Sequence, residues 1–274
     1  IFCYPFLMSG GWSNIHKWIV RFNDNPEADL EEFENFLSFE NISQPTDNGN
    51  TVLHFATLGK CSRVLDYVIR KAPSDLLHQP NQAGETPLLW ACSAGSVAHV
   101  RLLLKAGADH TALDQCGNTI LHAAVQSGNY PVARYILQKN LCELEEDNLK
   151  GNTALAVACE EQELEIAHLL VCHGAKTSKL LLHYVGEDEP AVVKVLASGC
   201  SFQSENFPLR NPLHYAVVFN NYKVAKVLIQ ANSRWKDEKD RYGNKPAHLL
   251  RTSSNKKLVE LLDFPQPSAK IKCI

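Results

Sequence analysis

Gly117-Asn118-Thr119-Ile120-Leu121-His122-Ala123-Ala124 is the stretch on which the fold turns. Its register returns in Gly49-Asn50-Thr51-Val52-Leu53-His54-Phe55-Ala56, Gly84-Glu85-Thr86-Pro87-Leu88-Leu89-Trp90-Ala91 and Gly151-Asn152-Thr153-Ala154-Leu155-Ala156-Val157-Ala158. The threonines stand at 51, 86, 119 and 153, in steps of 35, 33 and 34 residues. A period of that size marks a solenoid, in which each repeat is one supersecondary unit that buries its apolar face only by stacking on its neighbours. A threonine directly before an apolar run is a helix N-cap, so each copy predicts a helix start.

A second helix follows each first one. The apolar spacing of Val100, Leu102, Leu103 and Leu104, and of Ile166, Ala167, Leu169 and Leu170, predicts a buried face. Gly107 and Gly174 supply the left-handed stop, and Asn140 and Asn232 stand at the matching places. Together with Asn211-Pro212-Leu213-His214-Tyr215-Ala216, these segments resemble the ankyrin repeat, whose Thr-Pro-Leu-His-x-Ala signature opens the first of two antiparallel helices. The resemblance runs over roughly residues 47–263 and implies an all-α solenoid of about seven helix-turn-helix repeats with short β-hairpin loops.

Three segments follow. Residues 1–43 hold two helical patterns, one capped by Ser13 and one opened by Asn25-Pro26, and read as an N-terminal helical cap over the open end of the stack. Residues 44–263 are the repeat domain and 264–274 a tail. The fifth repeat, about 176–205, departs from the pattern: Leu182-His183-Tyr184-Val185 arrives some six residues early. Its hairpin is expected to be missing and its second helix, Ala191–Ala197, to be short. Gly186-Glu187-Asp188-Glu189-Pro190 then serves as the interhelical turn.

Composition sets the bounds. The 274 residues are 45% hydrophobic, and an array of this kind grows in one direction without a second core, which reads as one elongated domain. The formal charge of -3 gives no global pull toward nucleic acid or an anionic membrane, and the basic side chains near the C-terminus carry no nucleic-acid reading motif. Nine cysteines without a CxxC pair read as thiols in a reducing cytoplasmic or nuclear setting, with Cys92 and Cys159 in the core. No apolar run approaches the roughly 20 residues of a membrane span. The triplet Asn41-Ile42-Ser43 fits a glycosylation acceptor but conflicts with that setting. The Ile1 start points to a piece of a longer protein.

His54, His122, His183, His214 and His248 share one slot of the repeat. The resemblance implies that this imidazole hydrogen-bonds neighbouring hairpin backbone. Stacked helices lie about 10 Å apart, too far for these rings to share a metal held near 2 Å. Thr51, Thr86, Thr119 and Thr153 are expected as caps rather than nucleophiles. The sequence has no GxxxxGK[ST], GxSxG or HExxH, and no GxGxxG between a strand and a helix. The reading is a non-enzymatic chain with no cofactor, no metal and no small-molecule substrate.

Binding is the remaining class. The resemblance implies recognition by hairpin tips and the exposed ends of first helices, slots held by Leu58, Leu149, Glu160, Glu161, Phe207, Arg210, Val218, Phe219, Arg241 and Tyr242. Aromatic and Arg residues in that set match the composition of an interaction hot spot. Acids dominate positions 143–189 and bases the region beyond 207, so a partner of two-signed charge is expected. The expected role is an interaction domain that takes a protein or peptide on its concave face for scaffolding, targeting or inhibition. The alternative is a regulatory or substrate-recruiting fragment of a larger enzyme or channel.

Overall fold

The computed structural model describes residues 44–59, 61–199, 210–251 and 255–262. The expected cap helices around Ser13 and Pro26, the Asn41 triplet, Phe207 and the tail at 264–274 lie outside the described residues.

Thirteen α-helices occur among the described residues, and they come in pairs. The pairs are α1 (Val52–Leu58) with α2 (Ser62–Lys71), α3 (Pro87–Ala94) with α4 (Val97–Lys105), and α5 (Ile120–Gln126) with α6 (Tyr130–Gln138). Then come α7 (Ala154–Glu160) with α8 (Leu164–Cys172), α9 (Ser178–Gly186) with α10 (Pro190–Ser198), and α11 (Pro212–Val218) with α12 (Tyr222–Ala231). In the seventh pair the first helix shrinks to a 3-10 turn, Pro246–Leu249, followed by α13 (Lys256–Leu261). The chain forms two compact units that divide within α8, between Ile166 and Ala167.

Helices of seven residues, such as α1, α5 and α7, are too short to persist alone in water, so packing must hold them. Their burial shows how. Val52–Thr57 of α1, Ile120–Val125 of α5 and Ala154–Cys159 of α7 are buried all round. The second helices bury one stripe, as in Val132, Ala133, Ile136 and Leu137 of α6, because their outer face meets solvent. The N-terminal threonines act largely as expected. Thr86, Thr119 and Thr153 accept the N–H three residues on at 3.4, 3.4 and 3.3 Å. The Thr51 hydroxyl instead lies 2.9 Å from His54 Nδ1.

In the unit of residues 1–166 the hairpins between helix pairs are single tight turns that hold one another. Gly49 N–H donates to Thr46 O and Gly84 N–H to Asn81 O; Gly117 and Gly151 repeat the bond to Asp114 and Asn148. Successive tips are tied by backbone bonds of 2.9 Å from Gln82 to Asn48, Gln115 to Ala83 and Leu149 to Cys116. That approach needs glycine: Gly84 has φ +77° and a Cβ there would sit 2.7 Å from Gln115 N.

In the unit of residues 167–274 the missing hairpin is present as an omission. The chain passes from the end of α8 at Cys172 to the start of α9 at Ser178, whereas α6 ends at Gln138 and α7 begins only at Ala154. The turn from Glu187 to Glu189 joins α9 to α10, and Pro190 opens α10 as expected. Two expectations fail here. The second helix is not short, since α10 has nine residues, the same as α6. His183 does not occupy the shared slot. Thr177 stands at its N-cap without a side-chain cap bond, and with no hairpin before it α9 runs nine residues and turns Leu181, Tyr184 and Val185 inward. His183 is left exposed, edge-on to the Tyr184 ring.

The helix stops also differ at one place. Gly107, Gly174 and Asn140 are left-handed at φ 97°, 96° and 50°, but Asn232 is extended at φ -149° and caps the 3-10 turn Ser233–Lys236 by accepting the Arg234 N–H. The ring of Trp235 in that turn is buried.

Candidate functional site

The hairpins are built on a slot three residues before each glycine. Asn81 Oδ1 accepts the N–H groups of Ala83 and Glu85, Asp114 Oδ1 those of Cys116 and Asn118, and Asn148 Oδ1 those of Lys150 and Asn152. A short acceptor side chain folded onto its own turn is the Asx-turn, which fixes each tip without a ladder. Asp240 does the same in the second unit, accepting from Tyr242 and Asn244 at 2.9 and 2.8 Å and from Arg210 Nε at 3.2 Å. Burial pushes the Asp240 carboxyl up, but the two N–H groups and the Arg210 guanidinium outweigh it and hold the carboxyl below its ordinary value.

Three histidines stitch a first helix to the next hairpin. The N–H of Thr51 donates to His54 Nδ1 at 3.0 Å, so the proton sits on Nε2, which donates to Glu85 O at 2.9 Å. His122 repeats this between Thr119 and Asn152 O, at 3.3 and 3.0 Å. His214 lies between two acceptors, with Nδ1 2.8 Å from Asn211 Oδ1 and Nε2 2.9 Å from Asn244 O, and the neutral ring donates to one of them. Burial lowers the pKa of all three, against a smaller opposing effect of the backbone bond, and takes His54 down to about 4. His248 keeps only the local half, accepting the Lys245 N–H at 3.3 Å, and is exposed.

Ties also run the other way, and the sequence reading did not find them. The buried His99, in α4, lies with Nδ1 3.1 Å from Thr57 O at the end of α1. Its Nε2 is the one buried side-chain nitrogen or oxygen among the described residues without a partner. Asn129 Nδ2 reaches back to Cys92 O and Ser93 O at 3.2 and 2.6 Å, satisfying carbonyls at the end of α3. The repeated Asx slot was legible as Thr, Asn, Asp, Asn and Asp three residues ahead of Gly49, Gly84, Gly117, Gly151 and Gly243. The backward ties follow no local pattern.

The expected contact residues take the following places. In the first unit Leu58 is the last residue of α1 and half-buried. Leu149, at a hairpin tip, is 79% exposed, and its side chain lies against the neighbouring tip, with Cγ 3.0 Å from where a Gly117 Cβ would stand. Glu160 and Glu161 close α7 and are exposed; Glu160 Oε1 accepts from Asn152 Nδ2 at 2.8 Å. In the second unit Val218 ends α11 half-buried, and Phe219 caps it at 55% exposure, its ring edge over Gly186. Tyr242 is 64% exposed at its hairpin tip, with the Arg241 guanidinium 4.8 Å over the ring centroid. Arg210 is committed to Asp240 within the fold rather than standing free.

Leu113, 54% exposed, belongs with these residues and was missed, since it lies just outside the glycine-centred motif. The charge segregation is tempered by local pairs, Lys223 with Asp188 at 3.5 Å and Lys245 with Asp237 at 2.9 Å. Cys92 and Cys159 are core thiols as expected; burial raises both, Cys159 to about 12. Among the described residues no group of three or more His, Cys, Asp or Glu could hold a metal, and no helix is long and apolar enough to cross a membrane.

Comparison with known proteins agrees with this architecture. The family model described as "Ankyrin repeats (3 copies)" matches residues 18–114 and 106–180, and that described as "Ankyrin repeat" matches 209–240. All of the fifth helix pair but its first three residues falls between these matches. The chain is 27% identical over 153 residues to human transient receptor potential cation channel subfamily A member 1, covering 56% of this chain and 14% of the channel. It is 26% identical over 233 residues to the chicken nuclear factor NF-kappa-B p105 subunit, covering 83% of this chain and 23% of that protein. It thus spans under a quarter of either relative. The solved ankyrin repeat domain of Bcl-3, a member of the IkappaB protein family, superposes with a TM-score of 0.63 at 23% identity, over 79% of this chain and 99% of that one; at that identity the likeness concerns the fold.

Proposed function

We propose, from the premise that the chain belongs to the ankyrin-repeat family, that it is a regulatory protein-protein interaction domain which takes a protein or peptide partner on its concave face. It acts as a scaffold, targeting module or inhibitory adaptor in the cytoplasm or nucleus. It performs no chemistry itself: the buried histidines and hairpin carboxylate and amide groups already hold backbone partners, and such repeats serve as interaction modules.

One observation carries this reading. Leu149, Tyr242 and Phe219, three of the four large apolar side chains that are more than half exposed among the described residues, stand at hairpin tips or at the end of a first helix. Large apolar side chains held in water by a rigid turn gain most from being covered, and aromatic anchors dominate interface energetics. Arg241, stacked on Tyr242, adds a charge held in place for an acidic group on the partner. Glu160 and Glu161 give the first unit the opposite sign.

The test is partner capture from a native lysate followed by affinity measurement with Phe219→Ala, Tyr242→Ala and Leu149→Ala. Loss of about 2 kcal/mol for an aromatic anchor, with folding intact, supports the reading. Unchanged affinity for all three variants overturns it. The second reading, a recruiting segment of a larger channel or enzyme, is favoured by the 14% share of the channel relative that this chain spans. The mass of the native full-length protein separates the two.

A further inference from the structure

The hairpin tips of the first unit form a short ladder of like members. Each turn offers the next a carbonyl just before its glycine, at Asn48, Ala83 and Cys116, and each of these accepts an N–H from the following tip at 2.9 Å. At two of the three junctions an amide adds a second bond: Asn81 Nδ2 donates to Asn50 Oδ1 at 2.9 Å and Asn148 Nδ2 to Asn118 Oδ1 at 3.0 Å. The glycines lie under the arriving backbone. Where a Cβ would stand at Gly49, Gly84 and Gly117, the next tip's nitrogen is 3.1, 2.7 and 3.0 Å away.

The fourth tip presents the same surface to solvent. The chain runs from α8 to α9 without a hairpin, so no tip directly follows Lys150. Among the described residues Lys150 O has no hydrogen-bond partner, and nothing comes within 4 Å of a Cβ placed at Gly151. Asn152, the counterpart of Asn50 and Asn118, donates Nδ2 to Glu160 Oε1 at 2.8 Å, which fixes the amide and leaves Oδ1 as a spare acceptor. An exposed edge of unpaired backbone recruits a matching backbone, and the three closed junctions show which kind.

We propose that Leu149, Lys150, Gly151 and Asn152 dock an Asn-Xaa-Xaa-Gly turn of a partner protein, an inference that rests on the interaction-domain reading and specifies what this tip takes. The N–H of the partner's first Xaa donates to Lys150 O, and its Asn amide donates to Asn152 Oδ1. The first Xaa side chain packs over Gly151, as Leu149 does over Gly117. Glu146, Asp147 and Glu160, all exposed, outnumber Lys150 about the tip, so basic residues beside the partner turn are favoured.

The probe is a disulfide-closed hairpin peptide bearing Lys-Asn-Gln-Ala-Gly-Lys, its turn copied from residues 81–84. It is titrated into the full chain and followed by amide NMR shifts. Shifts are expected at residues 149–152 and not at Gly84 or Gly117, whose edges are already covered. Asn152→Ala keeps the backbone bonds of that residue to Asn148 and His122 and should weaken binding by about fivefold or more; N-methylation of the peptide Gln nitrogen should do the same. No shift at residues 149–152, or binding that survives both changes, overturns the proposal; loss of captured-partner affinity on Phe219→Ala would then still uphold the interaction-domain reading. Shifts confined to Glu146 and Asp147 that vanish at high salt mean charge attraction alone and overturn it too. So does a concentration-dependent dimer that Asn152→Ala dissolves, since a second copy would then occupy the tip.

Discussion

Acid should weaken the first unit through His54. Its ring is buried between Thr51 and the Glu85 carbonyl, and burial takes its pKa from 6.5 to about 4. Because the folded value lies below the unfolded one, the native state holds the neutral ring while the unfolded chain binds a proton anywhere between them. The stabilisation is complete above pH 6.5 and is lost as the pH falls toward 4. The full shift corresponds to about 3 kcal/mol at 1.36 kcal/mol per pKa unit, of which about 2 kcal/mol is already gone at pH 5. His99, His122 and His214 are lowered by burial too and add in the same direction. The assay is urea unfolding at pH 7 and pH 5 for the parent chain and for His54→Gln, which keeps a donor near the Glu85 carbonyl but does not titrate. The parent should lose about 2 kcal/mol more than the variant between the two pH values. Equal losses would refute a buried neutral ring at this position.

Other outcomes follow from the same contacts. His122→Ala should lower stability by about 1–3 kcal/mol through the unpaired Asn152 carbonyl and Thr119 N–H, without release of metal, as read by chemical denaturation and metal analysis. Gly84→Ala forces a Cβ to 2.7 Å from Gln115 N at φ +77°, so the variant should lose at least about 1 kcal/mol, and an unchanged unfolding midpoint would contradict the tip-to-tip approach. Asp240→Ala should speed hydrogen exchange at Tyr242 and Asn244, whose N–H groups it accepts, while exchange at Asn118 and Asn152 in the first unit stays the same. Cys92 and Cys159 should resist alkylation at pH 8 in the folded chain, since burial raises both thiols; rapid labelling of either would contradict their place in the core.

Much of the fold was legible because the repeat repeats its solutions. The cap bond recurs at Thr86, Thr119 and Thr153 and the ring tie at His54, His122 and His214, so a position in the period predicts a bond wherever the residue type is kept. The fifth repeat was legible as a gap but not in detail. Its early Leu182-His183 suggested a shifted copy of the motif, yet with no hairpin and no side-chain bond from Thr177 to set the start, helical burial chose which side chains face inward, and it chose Leu181, Tyr184 and Val185. Arg210 read as a surface cation because its partner Asp240 is thirty residues away and carries no sign of pairing in the sequence. His99 and Asn129 were silent for a related reason: each serves a carbonyl of the preceding repeat, which no local pattern records. The exposed residues proposed for binding were placed by slot, and Leu113 was passed over because it stands one residue before Asp114, ahead of the turn and of the motif that opens at Gly117.

The histidine ties bear on where the array can be divided. His54 belongs to α1 by sequence but donates its proton to Glu85, past α2 and on the far side of the next turn; His122 likewise depends on Asn152. A segment cut at the end of α6 would retain both helices of the third pair and still strand the His122 ring against an absent acceptor. A cut after Thr153 would carry the acceptor along. The self-sufficient piece of this chain is therefore out of phase with its helix pairs, running from one threonine cap through the following hairpin, and a repeat moved or duplicated in that frame arrives with its closing bond already inside it.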